Sequence, residues 1–222
     1  MLSQTEENYL KAIYNIGLSN TKSVNTTLIA KKLETKPSSV TDMIKKLAEK
    51  EFIHYEKYKG VSLTQKGKKI AVEIIRKHRL WEVFLVNKLN YNWDEVHEIA
   101  EQLEHIKSAT LVGKLEAFLE FPKHDPHGDP IPDENGNIAH HKKIMLSSVE
   151  PNTSCVVIGV KDSSSSFLKL LDTYTIGINS EIMVLDKFDF DNSLNIKLSN
   201  ENTLAISEKV SSNIFVYIKI VT

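Results

Sequence analysis

Between residues 78 and 105, six side chains combine a type that binds metal ions with helix-face spacing. They are His78, Glu82, His97, Glu101, Glu104 and His105. Because an α-helix advances each residue by about 100°, the last four are expected within an arc of roughly 100° on one helix. The first two repeat the i, i+4 spacing on a preceding helix. Crowded carboxylates repel one another unless a cation neutralises them, so the pattern predicts a metal site.

The ligand types narrow the choice of metal but are compatible with more than one kind of site. Imidazole and carboxylate groups without a thiolate suit Mn(II) or Fe(II), although Zn(II) and Co(II) can substitute in such sites. One alternative is a set of surface ion pairs with Arg79 and nearby lysines. Another is a di-metal carboxylate enzyme, which Asp94-x-x-His97 matches in part. No nucleophile elbow, phosphate-binding glycine loop or dinucleotide fingerprint is present, so we do not expect an enzyme.

The preceding part of the chain predicts a helix-turn-helix with a β-hairpin wing. Apolar residues recur at intervals of three and four over residues 5–18, which indicates a first helix. Asn25 suits the N-cap of a short second helix, and Pro37 suits the first position of a third. Two short apolar runs then flank a turn at residues 57–60. The pattern predicts a winged helix-turn-helix DNA-binding domain over residues 1–72.

The start of the third helix carries the residues expected to read DNA. In this motif the helix enters the major groove with its N-terminus first. We expect Ser38, Ser39 and Thr41 to face base edges, because small polar side chains can hydrogen bond there. Contacts to phosphates, which position the protein, are expected from Lys36, Pro37 at the helix N-terminus, Lys45, Lys46, Tyr58 and Lys59.

The charge distribution favours a nucleic-acid partner for the N-terminal third. Residues 1–80 contain 16 Lys and Arg against 8 Asp and Glu, whereas residues 81–222 contain 12 against 21. A basic segment attracts phosphate, and an acidic remainder suits cations. Composition alone leaves a solvated lysine-rich face open as the alternative.

The remainder divides into helices, a linker and a β-rich tail. A helix is predicted over residues 65–88 and a long amphipathic one over residues 93–121, whose apolar stripe predicts a homodimer surface. They define a metal-binding and dimerisation domain over residues 73–122. Prolines and glycines indicate a linker over residues 123–143. Short β-rich runs around one helix predict a small barrel over residues 144–222. The fold class is therefore mainly α with a small β domain.

Composition also bears on location. No apolar stretch reaches the roughly 18 residues of a membrane helix, and the N-terminal segment lacks the form of a secretory signal. We expect a cytoplasmic protein with no membrane partner and no small organic ligand. Cys155 is the single cysteine and lies in an apolar run. It is expected to be buried in a strand, which excludes a disulfide within the chain.

Several segments resemble the diphtheria-toxin-repressor family of metal-dependent transcriptional repressors. They are Thr5-Glu6-Glu7-Asn8-Tyr9-Leu10, Lys77-His78-Arg79-Leu80-Trp81-Glu82 and Leu103-Glu104-His105. The likeness is strongest over residues 5–132, and the tail resembles the SH3-like (FeoA-like) β-barrel of the longer members. Phe121-Pro122-Lys123 and Pro126-His127-Gly128 resemble the manganese-responsive branch.

The resemblance implies two metal sites. A primary site would use Glu101, Glu104, His105 and His78, together with Asn8 and with Glu7 as a substitute ligand. Asn8 departs from the family, which usually has aspartate there in manganese sensors and methionine in iron sensors. Glu101 favours manganese, because iron sensors have cysteine at that position. A secondary site would use Glu82 with Asp125, His127 and Asp162, or with His97, and cysteine is common where Asp125 stands.

The resemblance further implies a homodimeric repressor that binds double-stranded operator DNA of palindromic sequence. It would silence metal-uptake genes when Mn(II), or else Fe(II), is abundant. One alternative is an iron- or zinc-responsive repressor of the same architecture. Others are a di-metal enzyme with an incidental helix-turn-helix, and a metal-independent regulator whose barrel binds a small molecule or a partner protein.

Overall fold

The computed structural model describes residues 2–19, 24–56, 60–138 and 143–218. The chain folds into two compact units. The first unit comprises Met1–Trp81, Ala100–Phe118 and Ile131–Ile138, and the second comprises Glu82–Ile99, Leu119–Pro130 and Ala139–Thr222. In the described ranges, no helix is both long and apolar enough to cross a lipid bilayer.

The first unit begins with the winged helix-turn-helix that the sequence predicts. Its elements are α1 (Gln4–Ser19), α2 (Thr26–Lys32), α3 (Pro37–Glu49), β1 (Ile53–Glu56) and β2 (Gly60–Leu63), and the two strands pair antiparallel. The Asn25 side chain accepts a hydrogen bond from the Leu28 N–H at 2.8 Å, so it caps α2 as predicted. Pro37 occupies the start of α3, where a missing N–H costs nothing.

A single apolar core joins these three helices to the wing. Its fully buried members include Leu10 and Ile13 of α1, Ile29 of α2, and Ile44 and Leu47 of α3. Burying each such side chain contributes about 1.5–3 kcal/mol. Helix α1 is therefore held firmly against α2 and α3, which fixes the position of the polar residues that it carries on its other faces.

Helix α4 (Gln65–Leu89) follows the wing and contributes residues to both units. Its start is capped by Thr64, whose Oγ1 accepts a hydrogen bond from the Gly67 N–H at 3.1 Å. The predicted helix over residues 65–88 is thus confirmed.

The predicted single helix over residues 93–121 is wrong. The structure has α5 (Val96–Leu103) and α6 (Ala109–Phe118) instead. Ser108 Oγ accepts a hydrogen bond from the Leu111 N–H at 3.2 Å, so Ser108 caps a new helix. Glu104 and His105 consequently lie in the turn after α5 and not on one continuous helix face with His97 and Glu101. Apolar residues recur at helical spacing on both sides of the turn, so the spacing alone does not show that the helix is interrupted there.

The second unit contains the C-terminal antiparallel sheet domain. Its elements are β3 (Ile144–Met145), β4 (Thr153–Val160), α7 (Ser165–Thr173), β5 (Glu181–Lys187), β6 (Leu194–Leu198), β7 (Thr203–Ile206), α8 (Glu208–Ser211) and β8 (Ile214–Ile218). The strand order is β3-β8-β4-β5-β6-β7. This small SH3-like domain agrees with the predicted β-barrel, although the sequence did not indicate the short elements β3 and α8. Cys155 is buried as expected, and burial raises the pKa of its thiol to about 12.

The described part of the predicted linker has no helix and no strand, yet it is packed. Asp125 and His127 are buried, and Gly128 has a φ of +81°. Asp125 Oδ1 accepts hydrogen bonds from the backbone N–H groups of His127 and Asp129, at 2.8 and 2.9 Å. The carboxylate therefore organises its own turn, as aspartate does in an Asx turn.

Candidate metal centres and DNA-reading helix

Three elements of the first unit bring the predicted primary ligands together. Helix α1 supplies Glu7 and Asn8, α4 supplies His78, and α5 with its following turn supplies the others. We call this set the primary cluster, and its members are Glu7, Asn8, His78, Glu101, Glu104 and His105.

Short contacts connect most of the primary cluster. His78 Nδ1 lies 2.6 Å from Glu104 Oε2, and His105 Nδ1 lies 2.6 Å from Glu7 Oε2. His105 Nε2 is 3.8 Å from Glu104 Oε1. Glu104 is fully buried, and Glu7, His78 and His105 are each less than a tenth exposed. Such a density of buried ionisable groups is unfavourable without compensating charge.

Lys11 lies inside this cluster, and the sequence pattern did not reveal it. Its Nζ is 2.6 Å from both Glu101 Oε1 and Glu104 Oε2, and 3.2 Å from His78 Nδ1. Lysine is not among the metal-binding residue types, so a search for ligands passes over it. The available signal was its position one helical turn after Glu7 and Asn8, on the same face of α1.

Two buried oxygen atoms indicate that the primary cluster fits a divalent metal. Asn8 Oδ1 and Glu104 Oε1 are buried, and neither has a hydrogen-bond partner among the described residues. Leaving a buried polar atom unsatisfied costs about 1–3 kcal/mol, and more for a charged group. Carboxylate and amide oxygens with imidazole nitrogens are the donors that Mn(II) and Fe(II) accept. Coordination to a cation would satisfy both oxygens and neutralise the carboxylates.

A second group of ligand types lies in the second unit, and we call it the secondary cluster. Glu82 of α4 and the loop residues Asp125 and His127 each offer a ligand atom, and these atoms lie within 4.8 Å of one another. His127 Nδ1 is 3.6 Å from one oxygen of Glu82, and His97 Nδ1 is 3.5 Å from the other. All three cluster residues are buried, whereas His97 is exposed. Glu82 thus lies near both sets of partners that the resemblance implied, His127 with Asp125 in one set and His97 in the other.

Asp162 stands apart from the secondary cluster in the described structure. Its Oδ1 accepts a hydrogen bond from the Ser164 N–H at 2.9 Å, just before α7. It is not among the three residues whose ligand atoms converge. The resemblance suggested this residue as a ligand of Glu82's site, and that role stays a prediction.

The carboxylates of the secondary cluster raise the pKa of His127. Burial alone lowers the pKa of this imidazole, but the neighbouring carboxylates of Glu82 and Asp125 outweigh burial and raise the pKa to about 9. The Trp93 carbonyl, 2.8 Å from Nε2, adds to this effect. The ring therefore carries a proton at neutral pH, and a metal that bound there would replace that proton.

Helix α3 presents the predicted DNA-reading residues to solvent. Val40, Ile44 and Leu47 are buried on its inner face. The exposed residues are Lys36, Pro37, Ser38, Ser39, Lys45 and Lys46, and Thr41 is half-buried. Thr41 Oγ1 donates a hydrogen bond to the Pro37 carbonyl at 3.0 Å, so its methyl and hydroxyl groups are held in one orientation. Tyr58 and Lys59 of the wing lie outside the described residues.

Glu6 connects α1 to the DNA-reading helix. It is only 1% exposed, and its Oε1 lies 2.7 Å from Lys50 Nζ and 3.1 Å from Lys46 Nζ. Ser3 and Glu6 also form a capping box, because the Ser3 N–H donates to Glu6 Oε2 and the Glu6 N–H donates to Ser3 Oγ. Burial raises the pKa of Glu6, but hydrogen bonds led by that from Lys50 outweigh it and lower the pKa from 4.5 to about 2.

Replacing Glu6 by glutamine should therefore loosen α1 from α3. We expect a loss of about 1–2 kcal/mol in the free energy of unfolding, a value reduced for the solvent around the two lysines. Urea unfolding followed by circular dichroism measures this loss. Glu49→Gln removes the same charge from an exposed position on α3 and should have an effect below about 0.5 kcal/mol. Equal unfolding midpoints for the two variants would contradict the structural role of Glu6.

Comparison with known proteins agrees with this arrangement over nearly the whole chain. Residues 1–61 match the iron dependent repressor N-terminal DNA binding domain, and residues 64–133 match the iron dependent repressor metal binding and dimerisation domain. Residues 144–218 match the FeoA domain. The three matches follow one another in the order of the winged helix-turn-helix, the ligand-bearing helices and the antiparallel sheet.

Individual relatives give the same result. An HTH-type transcriptional regulator of Methanocaldococcus jannaschii is 40% identical over 119 residues, which are 54% of this chain and 95% of that protein. The HTH-type transcriptional regulator MntR of Oceanobacillus iheyensis is 33% identical over 125 residues, 56% of this chain and 84% of that protein. A solved manganese-dependent transcriptional repressor in complex with manganese matches with a TM-score of 0.86 at 31% identity, covering 96% of this chain and 99% of the other.

These matches confirm the resemblance that the sequence motifs indicated, and they exclude the enzyme alternative. The chain belongs to the iron-dependent repressor family and is a metal-dependent transcriptional repressor.

Proposed function

We propose that this repressor responds to Mn(II), binds a palindromic operator as a homodimer, and silences metal-uptake genes when the metal is abundant. The observation that carries the proposal is a pair of buried oxygens in the primary cluster, Asn8 Oδ1 and Glu104 Oε1, that have no hydrogen-bond partner among the described residues. The homodimer and the cytoplasmic location belong to the proposal as well.

The choice of manganese rests on the donor set. The primary cluster offers carboxylate, amide and imidazole groups, and it contains no thiolate or thioether. Hard oxygen donors favour Mn(II) over softer ions, although Fe(II), Zn(II) and Co(II) accept the same groups. The solved manganese-dependent repressor in complex with manganese favours the same metal.

Helix α1 is the element through which metal binding would affect DNA binding. A bound cation supplies positive charge that compensates Glu7, Glu101 and Glu104. The chain's own residues do the rest, because Glu7 holds one face of α1 against His105, and Glu6 holds another face against Lys46 of α3 and Lys50 just after it. A stable position of α1 thus stabilises the orientation of the DNA-reading helix.

A homodimer is supported by apolar side chains that α6 leaves exposed. Leu111 is 39% exposed and Phe118 is 59% exposed. Large exposed apolar groups on one short helix are unfavourable in water and are typical of an interface. The molecular mass in solution, measured by light scattering with Mn(II) present, should correspond to two chains, and the mass of one chain would contradict the dimer.

The experiment that tests the proposed function is a DNA-binding titration in the presence of each metal. DNA sequences would first be selected from a random pool with the Mn(II)-loaded protein. Affinity for the selected site would then be measured with Mn(II), Fe(II), Zn(II) and chelator at one fixed salt concentration, because phosphate contacts make affinity depend on salt. We expect the tightest binding with Mn(II). A stronger response to Fe(II) or Zn(II) would replace manganese in the proposal, and affinity unaffected by chelator would contradict metal control.

The recognition helix yields a separate prediction. Lys45→Ala should weaken binding to selected and random DNA alike, by about three- to tenfold, because a phosphate contact carries no sequence information. Ser39→Ala and Thr41→Ala should weaken binding to the selected site more than to random DNA. Fluorescence anisotropy with both DNAs measures the difference. Lys209→Ala removes an exposed lysine from α8 of the second unit and serves as the control; equal losses on both DNAs for Ser39→Ala and Thr41→Ala would contradict the base-reading assignment.

A further inference from the structure

The ammonium group of Lys11 is placed where it neutralises the carboxylates that a metal would use. The side chain is 11% exposed. Its Nζ contacts Glu101 and Glu104 at 2.6 Å each and His78 Nδ1 at 3.2 Å. All three partners belong to the primary cluster, and they come from elements other than α1.

Lys11 and a divalent metal are alternatives for these groups. Both are cations, and two cations sharing the same carboxylates would repel each other strongly in a buried site. The lysine side chain has a flexible four-carbon stem, so the ammonium can move away without any movement of α1. In the contacts described, the Lys11 ammonium compensates part of the negative charge of Glu101 and Glu104.

We propose that Lys11 is a tethered competitor of the metal. In the metal-free protein its ammonium compensates Glu101 and Glu104, and metal binding displaces it. The free energy lost when these ion pairs separate is subtracted from the metal's binding free energy. Lys11 therefore raises the metal concentration at which the repressor becomes active. This inference rests on the proposed function, because it assigns the primary cluster as the metal site.

A purely structural lysine would have different consequences. Lys11 hydrogen bonds to Glu104 Oε2, whereas Glu104 Oε1 and Asn8 Oδ1 have no hydrogen-bond partner among the described residues. Lys11 therefore does not satisfy every buried acceptor of this group, as expected of a substitute cation with three donor hydrogens in one place. If the role were only structural, removing the charge would loosen α1 and weaken metal binding. If Lys11 competes, removing the charge must strengthen metal binding.

The test compares Mn(II) affinity for wild type, Lys11→Met and Lys69→Met. Methionine retains most of the apolar stem and removes the charge, and Lys69 is an exposed residue of α4. Free Mn(II) is measured by electron paramagnetic resonance during titration of metal-free, full-length protein. We expect Lys11→Met to lower the dissociation constant about tenfold or more, which corresponds to about 1.4 kcal/mol. Lys69→Met should bind as wild type does. An unchanged or weaker affinity for folded Lys11→Met would overturn the proposal.

A second measurement uses the wild-type protein and does not depend on the folding of a variant. Acetylation of lysine amines by a water-soluble reagent is followed by mass spectrometry with and without saturating Mn(II). Displacement of Lys11 by metal should increase its acetylation severalfold, while that of Lys69 stays constant. Equal or lower reactivity of Lys11 with metal would overturn the proposal. Absence of Mn(II) binding by wild type would overturn the metal site itself, whereas binding without either Lys11 effect would overturn only the role of Lys11.

Discussion

Replacing Glu104 by glutamine should abolish metal-stimulated operator binding. Glu104 is fully buried, it contacts both Lys11 and His78, and its Oε1 has no hydrogen-bond partner in the described part of the chain. Glutamine preserves the volume but removes the negative charge. Since loss of a residue that merely orients a metal ligand costs 10–100-fold in metal affinity, loss of a central ligand should cost at least about a hundredfold.

Two measurements with a matched control test this prediction. Mn(II) affinity is measured by titration, and operator affinity is measured with saturating Mn(II) and with chelator. Glu95→Gln makes the same change at an exposed residue and should leave both affinities within about twofold of wild type. If Glu104→Gln bound operator in response to Mn(II) as wild type does, the primary cluster would have no part in metal sensing.

The second large effect is expected from replacing Gly128 by alanine. Gly128 has a φ of +81°, and a Cβ atom there would lie 1.8 Å from the Ile158 carbonyl oxygen and 2.4 Å from Gly159 Cα. Both obstacles are backbone atoms of β4, so a change of side-chain rotamer cannot relieve the overlap. Moving the loop would also displace Asp125 and His127, which lie in the same turn. We expect a destabilisation of about 3 kcal/mol or more.

Thermal unfolding of Gly128→Ala, followed by circular dichroism, checks this expectation. Gly177→Ala is the control within the same unit, because a Cβ at Gly177 would meet no heavy atom of the described residues within 4 Å. The control should unfold within a few degrees of wild type. A Gly128→Ala protein as stable as the control would show that the loop can separate from β4 at little cost.

The predictions for Glu6, Lys11 and Glu104 together make α1 the central element of the proposed regulatory mechanism. Within six residues this helix contacts α3 through Glu6 and contacts His105 and Glu104 through Glu7 and Lys11. Its apolar face packs in the core with α2 and α3, and its polar contacts add to what holds the helix in place. Reciprocity of linked equilibria then requires operator DNA to tighten metal binding by the factor by which metal tightens DNA binding.

The sequence by itself determined the helix-turn-helix, because the signals for it are local. The spacing of apolar residues predicts helices, and Asn25 and Pro37 mark where two of them start. The identities of His78, Glu101, Glu104 and His105 likewise indicated metal chemistry before any contact was known, since few other side chains bind divalent ions. Caps, periodicity and ligand type can all be read within one or two helical turns.

Tertiary structure alone decided which of these groups meet. Lys11 and Glu104 are 93 positions apart, and Glu7 and His105 are 98 positions apart, so no local pattern relates them. The break after Leu103, the convergence of Asp125 and His127 on Glu82 and the entry of Lys11 among the carboxylates all follow from the packing of separate elements. Side-chain types determine what chemistry is available, whereas the packing of buried helices and loops determines which charges lie close enough to act together.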